Sequence, residues 1–301
     1  MLSQLTTPDL RLLQVFRTVA RHRGLVAAQT ELNSSLPTIS LQIKKLEDRL
    51  GIRLCERGST GFRLTPQGEA VLRATEQLFA GIDDFKNELG EVARLPVGEV
   101  RLGIIDNLVG NADFHVADAL ADLQRDVPGV GISFCIAPPS ELENGLLNGT
   151  LDMAVGIFSQ RHPTLRYVTL CHEEHFMYCG RNHELYDLAS GTADTAALTN
   201  ASYVGWSYLE SYVMADSPLQ LKAQSASPYI DGVACLILSG RAIGYLPRSY
   251  AEQWVNRGSL RAIWPEVLAR RIDITLVKRK AQEMKHVVGL LYQALVARHK
   301  T

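Results

Sequence analysis

One stretch of sequence decides the fold of the N-terminal part of this chain, residues 35–51, which read SLPTISLQIKKLEDRLG. Ser35 suits the cap position of a helix and Gly51 suits its end. Between them, one helical face is apolar, with Ile39, Ile43, Leu46 and Leu50 at helical spacing. A shorter helix is predicted just before, from the spacing of Leu25, Ala28 and Leu32, and the turn Asn33-Ser34-Ser35 joins the two. Two short helices joined by a tight turn indicate a helix-turn-helix.

The segments on either side complete a winged unit. Before the helix-turn-helix, Thr7-Pro8-Asp9 opens a helix that runs to about residue 22, with an apolar face at Leu10, Leu13, Phe16 and Ala20. After it, residues 52–54 and 62–64 are predicted as two short strands around the stretch 56–61, which carries two glycines. The predicted N-terminal unit is therefore three helices followed by a hairpin wing.

Charge is distributed unevenly along the chain. Residues 1–64 carry ten Arg and Lys against five Asp and Glu, a net charge of +5, whereas the whole chain has a net charge of −1. A basic unit joined to a mildly acidic remainder is typical of nucleic-acid binding. The charge alone is also compatible with a solvated basic surface that has no nucleic-acid partner.

The polar face of the helix over residues 35–51 supplies candidate DNA contacts. If this helix enters a major groove, its outward side chains can hydrogen-bond to bases or phosphates. Arg57 and Arg63, on the predicted wing, are placed to meet phosphate or a minor groove. The alternative is an ordinary solvated helix face. The candidates on the helix are Thr38, Ser40, Gln42, Lys44 and Lys45.

In combination, these residues resemble the winged helix of LysR-type transcriptional regulators. The resemblance implies double-stranded operator DNA as a partner, adds Ser35 and Pro37 to the contact residues, and implies a homodimer or homotetramer that meets RNA polymerase. Many members have glutamine where this chain has Leu36 and arginine where it has Leu41, so the operator contacts usual in the family change at these two positions. The matching residues are Ala27-Ala28, Leu32, 35–40, Gln42-Ile43, Leu46-Glu47, Leu50-Gly51, Leu54, Glu56-Arg57, Leu64-Thr65 and Gly68.

A long helix is predicted after the wing. Thr65-Pro66 opens it, and it can run to about Arg94, just before Pro96. At ~1.5 Å per residue its length is roughly 43 Å. Its apolar stripe follows heptad spacing, at Val71, Thr75, Leu78, Ile82, Phe85, Leu89 and Val92. The stripe indicates a dimerisation helix, as the family resemblance also implies, and packing on its own domain is the alternative.

From Glu99 onward the chain alternates strands and helices, which predicts an α/β body. Strands are predicted at 99–105, 130–136 and 151–157, and helices at 112–125 and from Ser140 to about 149. The alternation continues through 176–179, 202–206, 230–238, 243–246 and 272–277, and a helix from Met284 closes the chain.

Two stretches of this body, residues 141–155 and 239–247, resemble the effector domain of LysR-type regulators. That domain is similar to periplasmic binding proteins, which implies two α/β lobes joined by two crossing strands, with a small-molecule effector in the cleft. The implied division is a winged helix-turn-helix domain at 1–65, a linker and dimerisation helix at 66–95 and an effector-binding domain at 96–301. Within the last, lobe I covers about 98–170 and 272–301, and lobe II about 171–271.

Ligands of open α/β sheets bind beyond the carboxyl ends of the strands, and this rule selects candidate effector-binding residues. Lobe I offers Asp106 and Asn107 after its first strand, and Ser140, a predicted helix cap whose neighbouring amides can hold a carboxylate. Helix capping alone would also explain Ser140. A place in the lobe core would explain Trp206 and Tyr229, which are candidates from lobe II. Asp106 would either repel a carboxylate or select an amine. The candidates of lobe II are Trp206, Ser207, Tyr208 and Tyr229.

The sequence carries no GxGxxG, GxSxG or Walker loop, so no enzyme motif is recognised and no cofactor is expected. The stretch His172-Glu173-Glu174-His175 lacks the i, i+4 histidine spacing of a helical zinc site, and a surface strand end is the expected setting. The rival function is an α/β enzyme or metabolite-binding protein with a basic N-terminal appendage.

Several features of the sequence predict a cytoplasmic protein. No run of about eighteen apolar residues predicts a membrane span, and the first residues lack the pattern of a secretory signal. The cysteines form no CxxC pair, which indicates reduced thiols and a core role for Cys55. The five cysteines are Cys55, Cys135, Cys171, Cys179 and Cys235.

Overall fold

The computed structural model describes residues 5–58, 61–92, 98–187, 195–208, 219, 221–280 and 285–299. They form two compact units, one mainly up to Lys86 and one mainly from Asn87. The first unit begins with helices α1 (Thr7–Arg21), α2 (Gln29–Leu32) and α3 (Leu36–Leu50). The apolar faces of α1 and α3 meet in a core that includes the fully buried side chains of Phe16, Ile39, Ile43 and Leu46, and Leu54 joins this core from the segment after α3.

Short polar side chains set the ends of these helices. Thr6, rather than the predicted Thr7, precedes α1, and its backbone N–H and Oγ1 donate to the Asp9 carboxylate at 2.9 and 2.6 Å. Ser35 caps α3 as predicted, because the Thr38 N–H donates to its Oγ at 3.4 Å. Gly51 ends α3 with φ 68°, a left-handed conformation that a residue without Cβ adopts without strain.

The wing is an antiparallel hairpin of β1 (Cys55–Gly58) and β2 (Gly61–Leu64). The prediction of its first strand at 52–54 was wrong. The strand ladder begins at Cys55. At this point the backbone is bound to α3, because the N–H groups of Leu54 and Cys55 both donate to Glu47 Oε1, at 2.7 and 3.3 Å. The predicted tip includes residues 59–60, which lie outside the described part of the chain.

The long helix after the wing is α4 (Pro66–Val92). The prediction that Thr65 caps it is confirmed, because the Gly68 N–H donates to Thr65 Oγ1 at 2.9 Å. Gly68 lies so close to the wing that a Cβ there would stand 1.9 Å from the Leu54 carbonyl oxygen. Val71 and Leu78 of the heptad stripe pack against the core of the first unit. The first half of the stripe therefore serves its own domain.

The second unit is built on one mixed sheet, with the strand order β4-β3-β5-β11-β6-β9-β7-β8 and β10 paired to β6. The strands are β3 (Glu99–Ile104), β4 (Gly131–Ile136), β5 (Met153–Gly156), β6 (Leu165–Gly180), β7 (Tyr203–Trp206), β8 (Ala223–Ser227), β9 (Ile243–Pro247), β10 (Leu260–Ala262) and β11 (Arg270–Arg279).

Strand direction divides this sheet into two lobes. The strands β4, β3 and β5 are parallel to one another, as are β9, β7 and β8. Between these sets run β11 and β6, antiparallel to each other and to the neighbours that flank them. The expected architecture of two α/β lobes joined by two crossing strands is thereby confirmed.

Helices cover the sheet at α5 (Val116–Asp126), α6 (Pro139–Asn148), α7 (Thr195–Asn200), α8 (Ile230–Leu238), α9 (Arg248–Val255), α10 (Pro265–Leu268) and α11 (His286–Arg298). The start of α5 differs from prediction. The helix expected from Ala112 begins at Val116, since the Asp113 N–H donates to Asn111 Oδ1 at 2.9 Å and holds a turn there. The predicted helix start at Met284 lies outside the described residues, and α11 is described from His286.

Candidate DNA interface and effector cleft

The outward face of α3 carries most of the predicted DNA-binding residues. Pro37, Thr38, Lys44 and Lys45 are all exposed on it, whereas Ile39 and Ile43 are fully buried beneath. The structure therefore brings a rigid face with two cations and a hydroxyl to the surface of the first unit. Such a face has the groups needed for phosphate and base contacts.

The remaining α3 candidates are less uniformly placed. Ser35 is exposed, and its hydroxyl is engaged with the Thr38 hydroxyl at 2.8 Å and with the Thr38 N–H. Ser40 and Gln42 are half-buried. The Gln42 Oε1 atom is buried and has no hydrogen-bond donor among the described residues. Gln42 thus faces the domain more than solvent.

The wing presents Arg63 to solvent from β2. Its backbone is opposite Glu56 in the hairpin, and Arg57 is opposite Phe62. The Arg57 side chain lies outside the described part of the structure, so its predicted role is carried by its position on β1 alone.

Two carboxylates, Asp9 and Glu47, anchor α3 to neighbouring segments, a role that the sequence did not predict for them. The Asp9 carboxylate, at the start of α1 and 1 % exposed, accepts a hydrogen bond from Arg49 Nη2 at 2.7 Å. Hydrogen bonds from Thr6, together with Arg49, keep the pKa of Asp9 below its usual value despite burial. Glu47 accepts the Leu54 N–H just before the first wing strand, as described above. The first contact ties α3 to the start of α1, and the second ties it to the segment that enters the wing.

The second unit contains a cavity of about 620 Å³ between its two lobes. Three predicted effector-binding residues line it: Ser140 from lobe I, and Ser207 and Tyr208 from lobe II. Ser140 lies in the first turn of α6 rather than at its cap, because the helix begins at Pro139. The other residues of the wall are Pro139, Glu143, Ile157, Phe158, Ser159, Gln160 and Leu221.

Asp106 and Tyr229 meet at a different place, the N-terminus of α8. Asp106 Oδ2 accepts the Ile230 N–H at 2.7 Å, and Tyr229 occupies the cap position of the helix. Burial, opposed by this hydrogen bond and assisted by nearby Asp231, raises the pKa of Asp106. Asn107 follows with φ 61°, in the left-handed region. Asp106 is therefore paired with a backbone amide of the opposite lobe.

Trp206 lies in the interior rather than on the cavity wall. It is 3 % exposed, its Nε1 donates to the Tyr245 carbonyl oxygen at 2.9 Å, and its ring lies 5.8 Å from that of Tyr208 and 6.0 Å from that of His175. Trp206 is therefore a residue of the lobe core, and its ring packs against that of Tyr208.

A buried polar pair on β6 was missed by the sequence reasoning. His175 is fully buried and bonded through Nε2 to Glu173 Oε2 at 2.9 Å, so the expectation that this histidine marks a surface strand end was wrong. Strand alternation is the reason: His172 lies three residues away on the opposite face, exposed and paired with Asp273 at 2.8 Å. Burial and the charges of Asp106 and Glu173 raise the pKa of Tyr208.

Three of the five cysteines, Cys55, Cys171 and Cys179, are buried, and Cys135 and Cys235 are exposed. Cys55 is buried in the core of the first unit. Burial raises the pKa of Cys171 to about 12 and of Cys179 to about 11.

Across the described ranges, no group of three or more His, Cys, Asp or Glu side chains is arranged to hold a metal ion. None of the described helices has both the length and the apolar character to cross a lipid bilayer.

Comparisons with known protein families match both units. Residues 10–69 match the bacterial regulatory helix-turn-helix protein, lysR family, and residues 93–300 match the LysR substrate binding domain. The chain is 35 % identical to the HTH-type transcriptional activator BauR of Pseudomonas aeruginosa over 98 % of its own length and 96 % of that protein. It is 24 % identical to the HTH-type transcriptional regulator GltR of Bacillus subtilis over 84 % of each chain.

Solved structures share the whole fold. The LysR family transcriptional regulator CbnR superposes with a TM-score of 0.69 at 19 % identity, covering 97 % of this chain and 99 % of that one. Full-length CbnR complexed with its target DNA superposes with a TM-score of 0.65 at 20 % identity, covering 96 % and 99 %. This chain belongs to the LysR family and is a DNA-binding transcriptional regulator, not an enzyme.

Proposed function

We propose that the chain works as a homodimer or homotetramer whose paired winged helices bind operator DNA and whose geometry is set by a small-molecule effector. The proposed parts are the winged helix at 1–65, the linker helix at 66–95 and the effector domain at 96–301, with lobe I at 98–170 and 272–301 and lobe II at 171–271. The site residues are those described above on α3, on the wing and around the cleft.

The interlobe cavity is the observation that carries the effector proposal. At about 620 Å³ it has the size of a small-molecule site, and both lobes contribute to its wall. Hydroxyls of Ser140 and Ser207 and the carboxylate of Glu143 offer polar contacts, while Ile157 and Phe158 offer apolar ones. A ligand held by both lobes would favour one spacing of the lobes over others.

Such a ligand changes transcription by shifting the equilibrium between different assemblies of the oligomer. It can favour one assembly only to the extent that it binds that assembly more tightly than the other. Two recognition helices held by a dimer must lie about one DNA turn, or a multiple, apart. A change in lobe spacing that alters this separation changes operator contact.

The exposed part of the heptad stripe supports pairing through α4. Phe85 is 60 % exposed in the single chain, although it continues the stripe whose earlier members are packed on the first unit. Side chains of residues 86–92, including Leu89 and Val92, lie outside the described set. A large apolar side chain on a long helix is a suitable contact for a second copy of that helix.

Transcription activation is the proposed outcome, because the full-length relative at 35 % identity is named as an activator. We infer that this activation proceeds through contact with RNA polymerase and that the site of action is the cytoplasm.

Selection of genomic fragments on the purified full-length protein, followed by footprinting at physiological salt, tests the DNA-binding part. We expect a protected region with two related half-sites separated by a whole number of DNA turns. A single unrepeated site would contradict pairing, and binding that tolerates any sequence would contradict the operator role.

A cavity-filling pair of variants tests the effector part. Ser207→Trp places an indole in the cleft. We expect the footprint of the effector-free protein to be unchanged, and the effector-dependent change in transcription at the footprinted promoter to be lost. Ser249→Trp is the control, because Ser249 is exposed on α9 and is not part of the cavity wall. A full response from Ser207→Trp would contradict a ligand site in the cleft.

A further inference from the structure

Leu41 occupies the centre of the exposed face of α3. It is 67 % exposed, and only Val26, at 68 %, is a more exposed large hydrophobic side chain among the described residues of the first unit. On a helix, residues three and four apart are neighbours. The neighbours of Leu41 on this face are therefore Pro37, Thr38, Lys44 and Lys45, all of them exposed.

The core of the domain does not explain a leucine at this position. The buried stripe of α3 is formed by Ile39, Ile43 and Leu46, each fully buried. Leu41 is absent from the apolar cluster that these side chains form with α1 and the wing. Its apolar surface is left in water in the free protein, which costs free energy unless a partner covers it.

The charges around Leu41 select the class of partner. Lys44 and Lys45 lie one turn beyond it, so a surface that covers Leu41 must accept two positive charges beside an apolar contact. The major groove of DNA meets both requirements, because phosphates border it and the C5-methyl of thymine is the apolar group on its base edges. A leucine cannot hydrogen-bond to a base, so its sequence preference must come from this methyl.

We propose that Leu41 is a base-reading residue that recognises a thymine in each operator half-site through its C5-methyl. Lys44 and Lys45 hold the helix on the adjoining phosphates. The inference rests on the DNA-binding function of the chain and adds to it the base and the atom that one residue reads. Leu36 is not part of this contact, since it lines a groove with Val26 and Phe62 on another side of the helix.

Thymine-to-deoxyuridine substitution tests the contact, because deoxyuridine lacks only the 5-methyl group. The experiment uses full-length protein and the footprinted operator fragment, with each thymine replaced singly and affinity measured by fluorescence anisotropy at constant salt. We expect one thymine per half-site at which removal of the methyl weakens binding about four- to fifteen-fold, the effect of uncovering roughly one to two buried methyl groups.

The Leu41→Ala variant assigns that loss to the proposed side chain. This variant should bind with equal affinity to the operator that has thymine at the sensitive position and to the operator that has deoxyuridine there. Its affinity for both should match the weaker affinity of the wild-type protein for the deoxyuridine operator. Val267→Ala is the matched control, since Val267 is a comparably exposed apolar residue, at 55 %, in the second unit. It should retain the full dependence on the methyl.

Leu41→Arg supplies an independent readout, because it is expected to change the preferred base rather than only to weaken binding. A guanidinium at this position can bond to guanine O6 and N7, so selection from a randomised half-site should change the preferred base from thymine to guanine at the methyl-sensitive position. The proposal is overturned if no thymine methyl matters, if Leu41→Ala keeps the same methyl dependence, or if Leu41→Arg changes preference at another position. Failure of the wild type to bind any fragment would instead contradict the DNA-binding function itself.

Discussion

The carboxylate of Asp106 accepts a hydrogen bond from the backbone amide of Ile230 at 2.7 Å, and this bond connects the two lobes of the effector domain. Asp106 follows β3 in lobe I, and Ile230 is the first residue of α8 in lobe II. A negative charge at the positive end of a helix is favourable. The start of α8 is therefore already paired with an anion of the chain itself, and an anionic effector at that point would compete with Asp106.

Asp106→Ala should lower the stability of the second unit by about 1–2 kcal/mol, because a partly buried amide loses a charged acceptor. Urea unfolding followed by tryptophan fluorescence measures this unit alone, since Trp206, Trp254 and Trp264 are the three tryptophans of the chain. Asp113→Ala is the control, as Asp113 is an exposed carboxylate of the same lobe. Equal midpoints for Asp106→Ala and wild type would show that the interlobe bond contributes nothing.

The Asp9–Arg49 contact predicts acid sensitivity of the first unit. The pKa of Asp9 is lowered in the folded state by hydrogen bonds from Thr6 and by Arg49. Its contribution to stability is therefore present above the ordinary carboxyl pKa of 3.8 and is lost as pH falls through the lowered value. Asp9→Asn should accelerate amide hydrogen exchange in α1 and α3 at pH 7, with a difference from wild type that shrinks below about pH 4.

Asp48→Asn provides the comparison for that experiment. Asp48 is an exposed carboxylate on α3, and its removal should leave exchange rates close to those of wild type at every pH. The assignment to Asp9 fails if both variants show the same pH dependence.

Two glycines of α4 should respond in opposite directions to alanine. A Cβ at Gly68 would stand 1.9 Å from the Leu54 carbonyl oxygen, so Gly68→Ala must push the helix away from the wing, at a cost of about 1–3 kcal/mol. Gly81 has open space at the same atom, and Gly81→Ala should stabilise the helix by about 0.5–1 kcal/mol. Native-state hydrogen exchange over residues 54–85 measures both. A stable Gly68→Ala protein would show that the close approach is not required.

Lys44 should contribute affinity without sequence preference. Lys44→Ala removes one phosphate contact per recognition helix, so binding should weaken on specific and unrelated DNA alike, and the log–log salt slope should fall in magnitude by about 1 per contact. Lys222→Ala is the control, because Lys222 is exposed in the second unit. A loss confined to the specific operator would indicate base reading by Lys44 instead.

Much of the fold is visible in the sequence because its elements are locally encoded. The apolar spacing of α3, its serine cap and its terminal glycine each act within one or two turns of helix, so the pattern alone predicts the element. The same holds for the Thr65 cap of α4 and for the apolar strand at β5. The first wing strand was misplaced where the backbone is bound to a side chain of another element, since Glu47 of α3 accepts the N–H groups of Leu54 and Cys55.

The sequence by itself determined the family, the α/β class of the second unit and the polar face of α3, since periodicity, capping and charge are properties of neighbouring residues. Only the tertiary structure decided which candidates share a site. It placed Ser140, Ser207 and Tyr208 on one cavity wall, buried Trp206, and paired Asp106 with a helix 124 residues away in sequence. Such contacts depend on how strands order themselves in the sheet, and no local pattern carries that order.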